Sequence, residues 1–205
     1  ADIIKKDGPL DEEQALQIAT EVAEALRAAY QTNQMIHGDI KPSNIIFVGG
    51  RPKLADIGLV TEAGDVHSIV GTEGYLAPEG PGTPQADLFA LGKVLYEAVT
   101  GLDRRQFPQL PSDLRAWPDA KLLLELNEIL LKACAADSRE RYRSAEEVRA
   151  DLFLLKAGKS IQRTHLLERR LKFTTRVAVV TVAVMVLGAF PYFMAIQQAR
   201  RANRS

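Results

Sequence analysis

The sequence predicts a mainly α globule with one small β-hairpin, followed by a single helix long enough to span a lipid bilayer. Three observations carry this expectation. Apolar residues recur at three- and four-residue steps in the opening stretch and again after residue 87, the period of an amphipathic helix. Two short apolar runs flank Gly49-Gly50, as in a hairpin. Val177 to Ile196 is a run of 20 residues without a charge.

Taken in order, Asp11 to about Gln34 reads as the first helix. Ala15, Ile18, Ala19, Val22, Leu26, Ala29 and Tyr30 form its apolar face, and Asp11 with Gln14 suits a capping box. Ile45–Val48 and Pro52–Ala55 are the expected strands, with Arg51 lengthening the Gly49-Gly50 turn. From Asp56 to about Thr83 there is no sustained period and much Gly and Pro. A loop of that length is uncommon unless it has work to do. Asp87 to Thr100 is helical by the period of Leu88, Leu91, Val94, Leu95 and Ala98, and Gly101 is placed to stop it. Prolines at 108, 111 and 118 break the next stretch. Two more helices are expected, Asp119 to Ala135 and Ser144 to Lys156, the latter with a Ser144/Glu147 capping box.

The formal charge is zero, with 26 basic and 26 acidic residues, but it is unevenly spread. From Lys159 onward there are nine Lys/Arg and one acid, Glu168; by subtraction the first 158 residues carry 17 basic and 25 acidic groups, a net of −8. The front is an acidic globule and the tail is basic. A single cysteine, Cys134, excludes an intrachain disulfide and, in an apolar stretch, reads as a buried inert thiol. The first residues, Ala1-Asp2-Ile3-Ile4, show neither an initiator methionine nor a signal peptide, so an N-terminal portion is expected to precede them.

Between the first helix and the hairpin lies His37-Gly38-Asp39-Ile40-Lys41-Pro42-Ser43-Asn44, with Asp56-Ile57-Gly58 just beyond the hairpin. Phosphoryl transfer needs this set: a carboxylate to orient a hydroxyl, a cation for the moving phosphoryl group and oxygen ligands for Mg²⁺. The first segment resembles the H-R-D-x-K-x-x-N catalytic loop of protein kinases, and the second their Asp-Phe-Gly element. H-G-D followed by Asn also occurs in small-molecule kinases of the same superfamily. Four further features favour a serine/threonine protein kinase. Lys41 follows Asp39 by two residues, and Gly71-Thr72-Glu73-Gly74-Tyr75-Leu76-Ala77-Pro78-Glu79 resembles the G-T-x-x-Y-x-A-P-E substrate platform. Asp87 to Gly92 resembles the D-x-W-S-x-G start of a central helix, and Arg141 resembles the late arginine that pairs with the platform glutamate.

The resemblance implies the C-terminal lobe of the kinase-like α+β fold over residues 1–157, without the N-terminal lobe. It also implies ATP and Mg²⁺ as cofactors and Ser/Thr-bearing proteins as substrates; no nucleic acid partner is expected. Asp39 would accept the hydroxyl proton, and Lys41 would neutralise the γ-phosphoryl group. Asn44 and Asp56 would hold the metal, and Thr72 would bond near Asp39 and Lys41. His37, Glu79, Asp87 and Arg141 would be structural supports, Asp87 by accepting from the amides of His37 and Gly38, Glu79 and Arg141 as a buried ion pair. His67 and His165 have no partner at metal-ligand spacing and are expected to face solvent.

Two substitutions and one absence depart from the family. Gly38 stands where an arginine usually pairs with an activation-loop phosphate, so Thr61, Ser68 or Thr72 phosphorylation would lack its best-known partner. Ile57 replaces phenylalanine. No glycine-rich loop, nucleotide lysine or partner glutamate occurs before the catalytic loop; residues 1–8 resemble the short helix after the interlobe hinge. This stretch alone is therefore expected to bind ATP poorly, and the longer parent to be the enzyme.

Residues 158–176 are expected to form a basic juxtamembrane linker, 177–196 the transmembrane helix and 197–205 a basic tail, with Pro191 near a kink and Tyr192 at an interface. Both flanks are basic, so the need for ATP, rather than charge, puts the kinase lobe on the cytoplasmic side of a cell membrane. Lobe, basic segment and single span resemble bacterial receptor-like serine/threonine kinases. A homodimer of the parent is a further partner considered, and a non-catalytic kinase-fold scaffold at the membrane is the alternative function.

Overall fold

The structure, a computed structural model, describes residues 10–33, 35–56, 61–62 and 71–202. The side chains of 12, 32–33, 61–62, 162, 165, 168–169, 172 and 188–202 lie outside that description. So do residues 1–8, Ile57, His67, Ser68 and the ring of His165. The chain divides into two compact units, Ala1–Ile161 and Gln162–Ser205.

In the first unit, helix α1 (Glu12–Asn33) leads to strand β1 (Met35–Ile36), then to β2 (Ile45–Val48) and β3 (Arg51–Leu54). A two-residue strand, β4 (Thr61–Glu62), pairs antiparallel with β1. Helices α2 (Pro84–Thr100), α3 (Ala120–Ala133) and α4 (Ala145–Lys156) follow. Asp11 caps α1 by accepting from the Gln14 amide at 2.8 Å. Ser144 caps α4 by accepting from the Glu147 amide at 3.3 Å. Glu147 reaches one residue past its expected box partner, accepting from the Arg143 amide at 3.0 Å.

Helix α2 is the hub of the core. Leu88, Leu91, Val94, Leu95, Tyr96, Ala98 and Val99 are all buried, so this helix has almost no wet side. It packs against α1 and α3, while α4 closes over α1 and α3. Where α2 meets α3, a Cβ on Gly92 would lie 2.5 Å from Cys134 Sγ, so only glycine allows this approach. Cys134 is buried, and desolvation pushes its thiol up to about 12, consistent with an inert core residue.

Three expectations are corrected. Arg51 does not lengthen the hairpin turn: it pairs with Val48, leaving Gly49 and Gly50 as a two-residue turn at φ 58° and 76°. Two consecutive left-handed glycines supply the twist that strand pairing needs, so no third residue is required. Helix α2 begins at Pro84 rather than Asp87, because Thr83 accepts from the Ala86 amide at 3.0 Å and Pro84 occupies the first turn. The long loop also carries β4, too short to show a period.

The expected linker is helical from Ile161, the last residue of the first unit, and α5 runs Ile161–Ala202. Its Leu, Arg, Gln and Lys residues are good helix formers, so nothing breaks the chain there. Val177 and Val179 are 48% and 63% exposed, and Leu187 is 73% exposed. Among the described residues no helix is long and apolar enough to cross a membrane. The side chains of 188–196, nearly half of the expected span, lie outside the described residues.

Candidate active site

Residues 37–44 link β1 to β2, so one short strand pair and one hairpin hold the loop at both ends. Its closing turn, Pro42–Asn44, is a single 3-10 turn begun by proline. On this frame Asp39, 6% exposed, collects three side chains. Its Oδ2 accepts from Lys41 Nζ at 2.5 Å and from Asn44 Nδ2 at 3.4 Å, and its Oδ1 accepts from Thr72 Oγ1 at 2.6 Å. Lys41 Nζ also donates to Thr72 Oγ1 at 3.1 Å. Burial alone would raise the Asp39 pKa, but the Lys41 and then the Thr72 hydrogen bonds outweigh it and hold the carboxyl below its ordinary value. Asp39 is thus an ionised carboxylate beside a hydroxyl and a cation.

Asn44 is buried, and its Nδ2 is committed to Asp39, including the backbone oxygen at 2.8 Å. That leaves Oδ1 as its ligand atom, with Ser43 Oγ at 3.5 Å. The Ala55 amide donates to the Asn44 carbonyl at 2.7 Å, which brings the end of β3 beside the loop. The next residue, Asp56, is exposed and adopts φ 64°, a left-handed conformation that few side chains tolerate and that redirects the chain at this point. An amide oxygen and a carboxylate are hard donors of the kind Mg²⁺ selects, so the donor chemistry fits that ion.

Asp87, 1% exposed, accepts from the His37 amide at Oδ2 and the Gly38 amide at Oδ1, both at 2.8 Å. Gly38 sits at φ 77°, which costs an L side chain about 1–2 kcal/mol. His37 Nε2 lies 2.9 Å from the Ala55 carbonyl, an acceptor only, so this nitrogen carries the proton. Its Nδ1 accepts from the Asp39 amide at 3.4 Å. The ring braces the loop against β3 and is spent on packing rather than on proton transfer.

Arg141 and Glu79 form a two-pronged pair, Nη1–Oε1 2.5 Å and Nη2–Oε2 2.9 Å. The guanidinium has no exposed surface and also donates to the carbonyls of Ala135, Ala136 and Gln85, so all five of its N–H groups are used. Glu79 is only half-buried, with 32% of its side chain exposed, which corrects the expectation that both partners are sealed from water. It sits on the loop side of the pair, where solvent reaches it.

One contact escaped the sequence reading. Tyr30, near the end of α1, donates its hydroxyl to Asp87 Oδ2 at 2.9 Å. Its place on the apolar face of α1 marked it as core; only the fold brings the phenol to the carboxylate.

Residues 1–154 match the family model for the protein kinase domain, and the chain belongs to that family. More particularly, it is 32% identical over 182 residues to the serine/threonine-protein kinase PknB of Mycobacterium leprae, covering 77% of this chain and 28% of that protein. Against the serine/threonine-protein kinase PrkC of Bacillus subtilis it is 35% identical over 172 residues, 73% of this chain and 26% of that protein. A probable serine/threonine-protein kinase of Corynebacterium efficiens is 32% identical over 180 residues, with 75% and 27% coverage. The chain therefore spans about a quarter of the length of the curated relatives it matches.

Proposed function

We propose that the full-length protein containing this chain transfers the γ-phosphoryl group of ATP to serine or threonine hydroxyls of proteins. The observation that carries this reading is the Asp39–Thr72–Lys41 triangle, closed by contacts of 2.5, 2.6 and 3.1 Å. A carboxylate held ionised there orients an incoming hydroxyl and takes its proton. Lys41 Nζ stays within reach of the moving phosphoryl charge, and Thr72 ties the substrate platform to both. Asn44 Oδ1 and the Asp56 carboxylate would hold Mg²⁺, which when bound neutralises phosphate charge. The similarity to named serine/threonine kinases supports the class of acceptor.

We further propose that residues 177–196 cross a cell membrane with the kinase unit on the cytoplasmic side, where ATP is. A helix of 20 uncharged residues spans about 30 Å, the thickness of the hydrocarbon layer. Arg163, Arg169, Arg170, Lys172 and Arg176 lie in the sequence before it, suited to anionic head groups. Extraction decides this part: the full-length protein should stay in the membrane at alkaline pH, and its release would end the claim.

For the activity, full-length protein should phosphorylate a protein acceptor with ATP and Mg²⁺, and Asp39→Asn should abolish transfer while leaving the melting temperature near wild type. No transfer by the wild-type full-length protein would favour a non-catalytic scaffold instead.

A further inference from the structure

The substrate platform is held from the far side by a side chain with no role in the chemistry above. Arg104 opens a 3-10 turn, Arg104–Gln106, beyond the end of α2. Asp103 accepts from the Arg105 amide at 2.8 Å, Gln106 Oε1 accepts from the Asp103 amide at 3.0 Å, and Lys93 of α2 donates to the Arg104 carbonyl at 3.0 Å. The turn is thereby pinned before its side chain reaches out.

From it the guanidinium runs back to the platform. Arg104 Nη1 donates to Glu97 Oε1 at 3.1 Å, and Nε donates to the Glu73 carbonyl at 3.2 Å. Its Cζ lies 4.5 Å from the centre of the Tyr75 ring. The Tyr75 hydroxyl donates to Glu97 Oε2, so Glu97 of α2 holds the tyrosine and the arginine with its two oxygens. Gly74 lies directly beneath: a Cβ there would come within 2.3 Å of Arg104 Nε, and its φ is 88°. The segment has thus given up a side chain where the arginine crosses it. Only 22% of the Arg104 side chain and 14% of Glu97 is exposed, so water competes weakly for these bonds.

We propose that Arg104 is a positioning residue that clamps the segment Glu73–Tyr75 against α2 and so fixes Thr72, one residue before it, over Asp39. A planar fork suits this work, because it meets a carboxylate, a carbonyl and a ring face at once. Lysine would keep the charge but could meet only one of the three. Arg105, paired with the exposed Glu73 carboxylate at 3.1 Å, adds little on the wet side.

Hydrogen exchange on the full-length protein tests the clamp without requiring activity. Arg104→Ala should speed exchange of peptides covering residues 71–79 by tenfold or more, roughly the loss of one charged hydrogen bond. Peptides from α1 and α4 should be unchanged. Arg104→Lys should fall between the two. Wild-type protection of 71–79 in Arg104→Ala, or a uniform rise from α1 to α4, would overturn the proposal. Should Arg104→Ala fail to accumulate, Arg104→Lys decides alone, and wild-type protection in that variant refutes the clamp. The inference rests on the kinase reading only for its catalytic arm. There, KM for the protein acceptor should rise about tenfold with KM for ATP unchanged, and a change confined to ATP would count against it. A wild-type protein without phosphotransfer would sink the proposed activity and leave the exchange result to judge the clamp.

Discussion

Tyr30 and Asp87 lie 57 residues apart in the chain, yet the phenol of one donates to the carboxylate of the other at 2.9 Å. Asp87 in turn accepts from the amides of His37 and Gly38. The last turns of α1, the start of α2 and the catalytic loop therefore meet at one buried carboxylate. Desolvation raises the Asp87 pKa, and the His37 and Gly38 amides and the Tyr30 hydroxyl work against that rise.

Tyr30→Phe removes one of three donors and leaves the ring packing intact. Asp87 should protonate more easily, releasing a loop amide. Exchange of the His37 and Gly38 amides should accelerate on acidification, starting at a higher pH than in wild type. Stability at neutral pH should fall by about 1–3 kcal/mol, measured by denaturant titration. Unchanged amide protection across the acid range would show that the two backbone donors suffice.

Thr72→Val keeps the shape of the side chain and deletes the hydroxyl that Asp39 and Lys41 share. Phosphotransfer by the full-length protein should fall about tenfold to a hundredfold, the worth of a hydrogen bond to a charged group. Thr72→Ser should restore most of it. A Val variant as active as wild type would remove Thr72 from the site.

The Glu79–Arg141 pair should fail asymmetrically. Glu79→Gln leaves a guanidinium without exposed surface facing a neutral amide, and should cost about 3–5 kcal/mol by denaturant titration. Arg141→Leu strands a carboxylate that water already reaches, so its charge penalty should be smaller. Acid dependence follows from the same geometry. Burial would raise the Glu79 pKa, but Arg141 outweighs it and lowers the value below 4.5. The stabilisation is therefore present above about pH 4.5 and is lost as pH falls through the lowered folded value. Glu79→Gln should flatten that part of the stability profile.

Gly38 makes a different kind of forecast. With no arginine there to meet a loop phosphate, the proposed phosphotransfer of the full-length protein should be as fast after phosphatase treatment as before. Gly38→Arg should not create a phosphate-dependent enzyme at no cost, since φ 77° charges an L residue about 1–2 kcal/mol. A large rise in rate on loop phosphorylation of the wild-type protein would refute this.

Much of the architecture was legible because short-range physics writes it into local pattern. The apolar steps from Ala15 to Tyr30, the Asp11 and Ser144 caps and the Gly101 stop each act within a turn or two of helix, and each appears in the structure close to its expected place. The exceptions are local as well. Thr83-Pro84 is a helix start that the apolar period beginning at Leu88 concealed, and β4 is too short for any period to register.

Asp39, Lys41 and Asn44 could be picked out as chemistry because they lie within six residues and their spacing resembles that of a protein-kinase catalytic loop. By itself, then, the sequence determined the helical class, the caps, the family and the residues that bear charge. Only the tertiary structure decided two further long-range contacts: Tyr30 with Asp87, and Arg104 with Glu97, Glu73 and Tyr75. The reason is physical. A cap or a helical face depends on neighbours three or four residues away, whereas a buried carboxylate takes donors from whichever elements packing delivers, and side-chain type at one position carries no record of that partner.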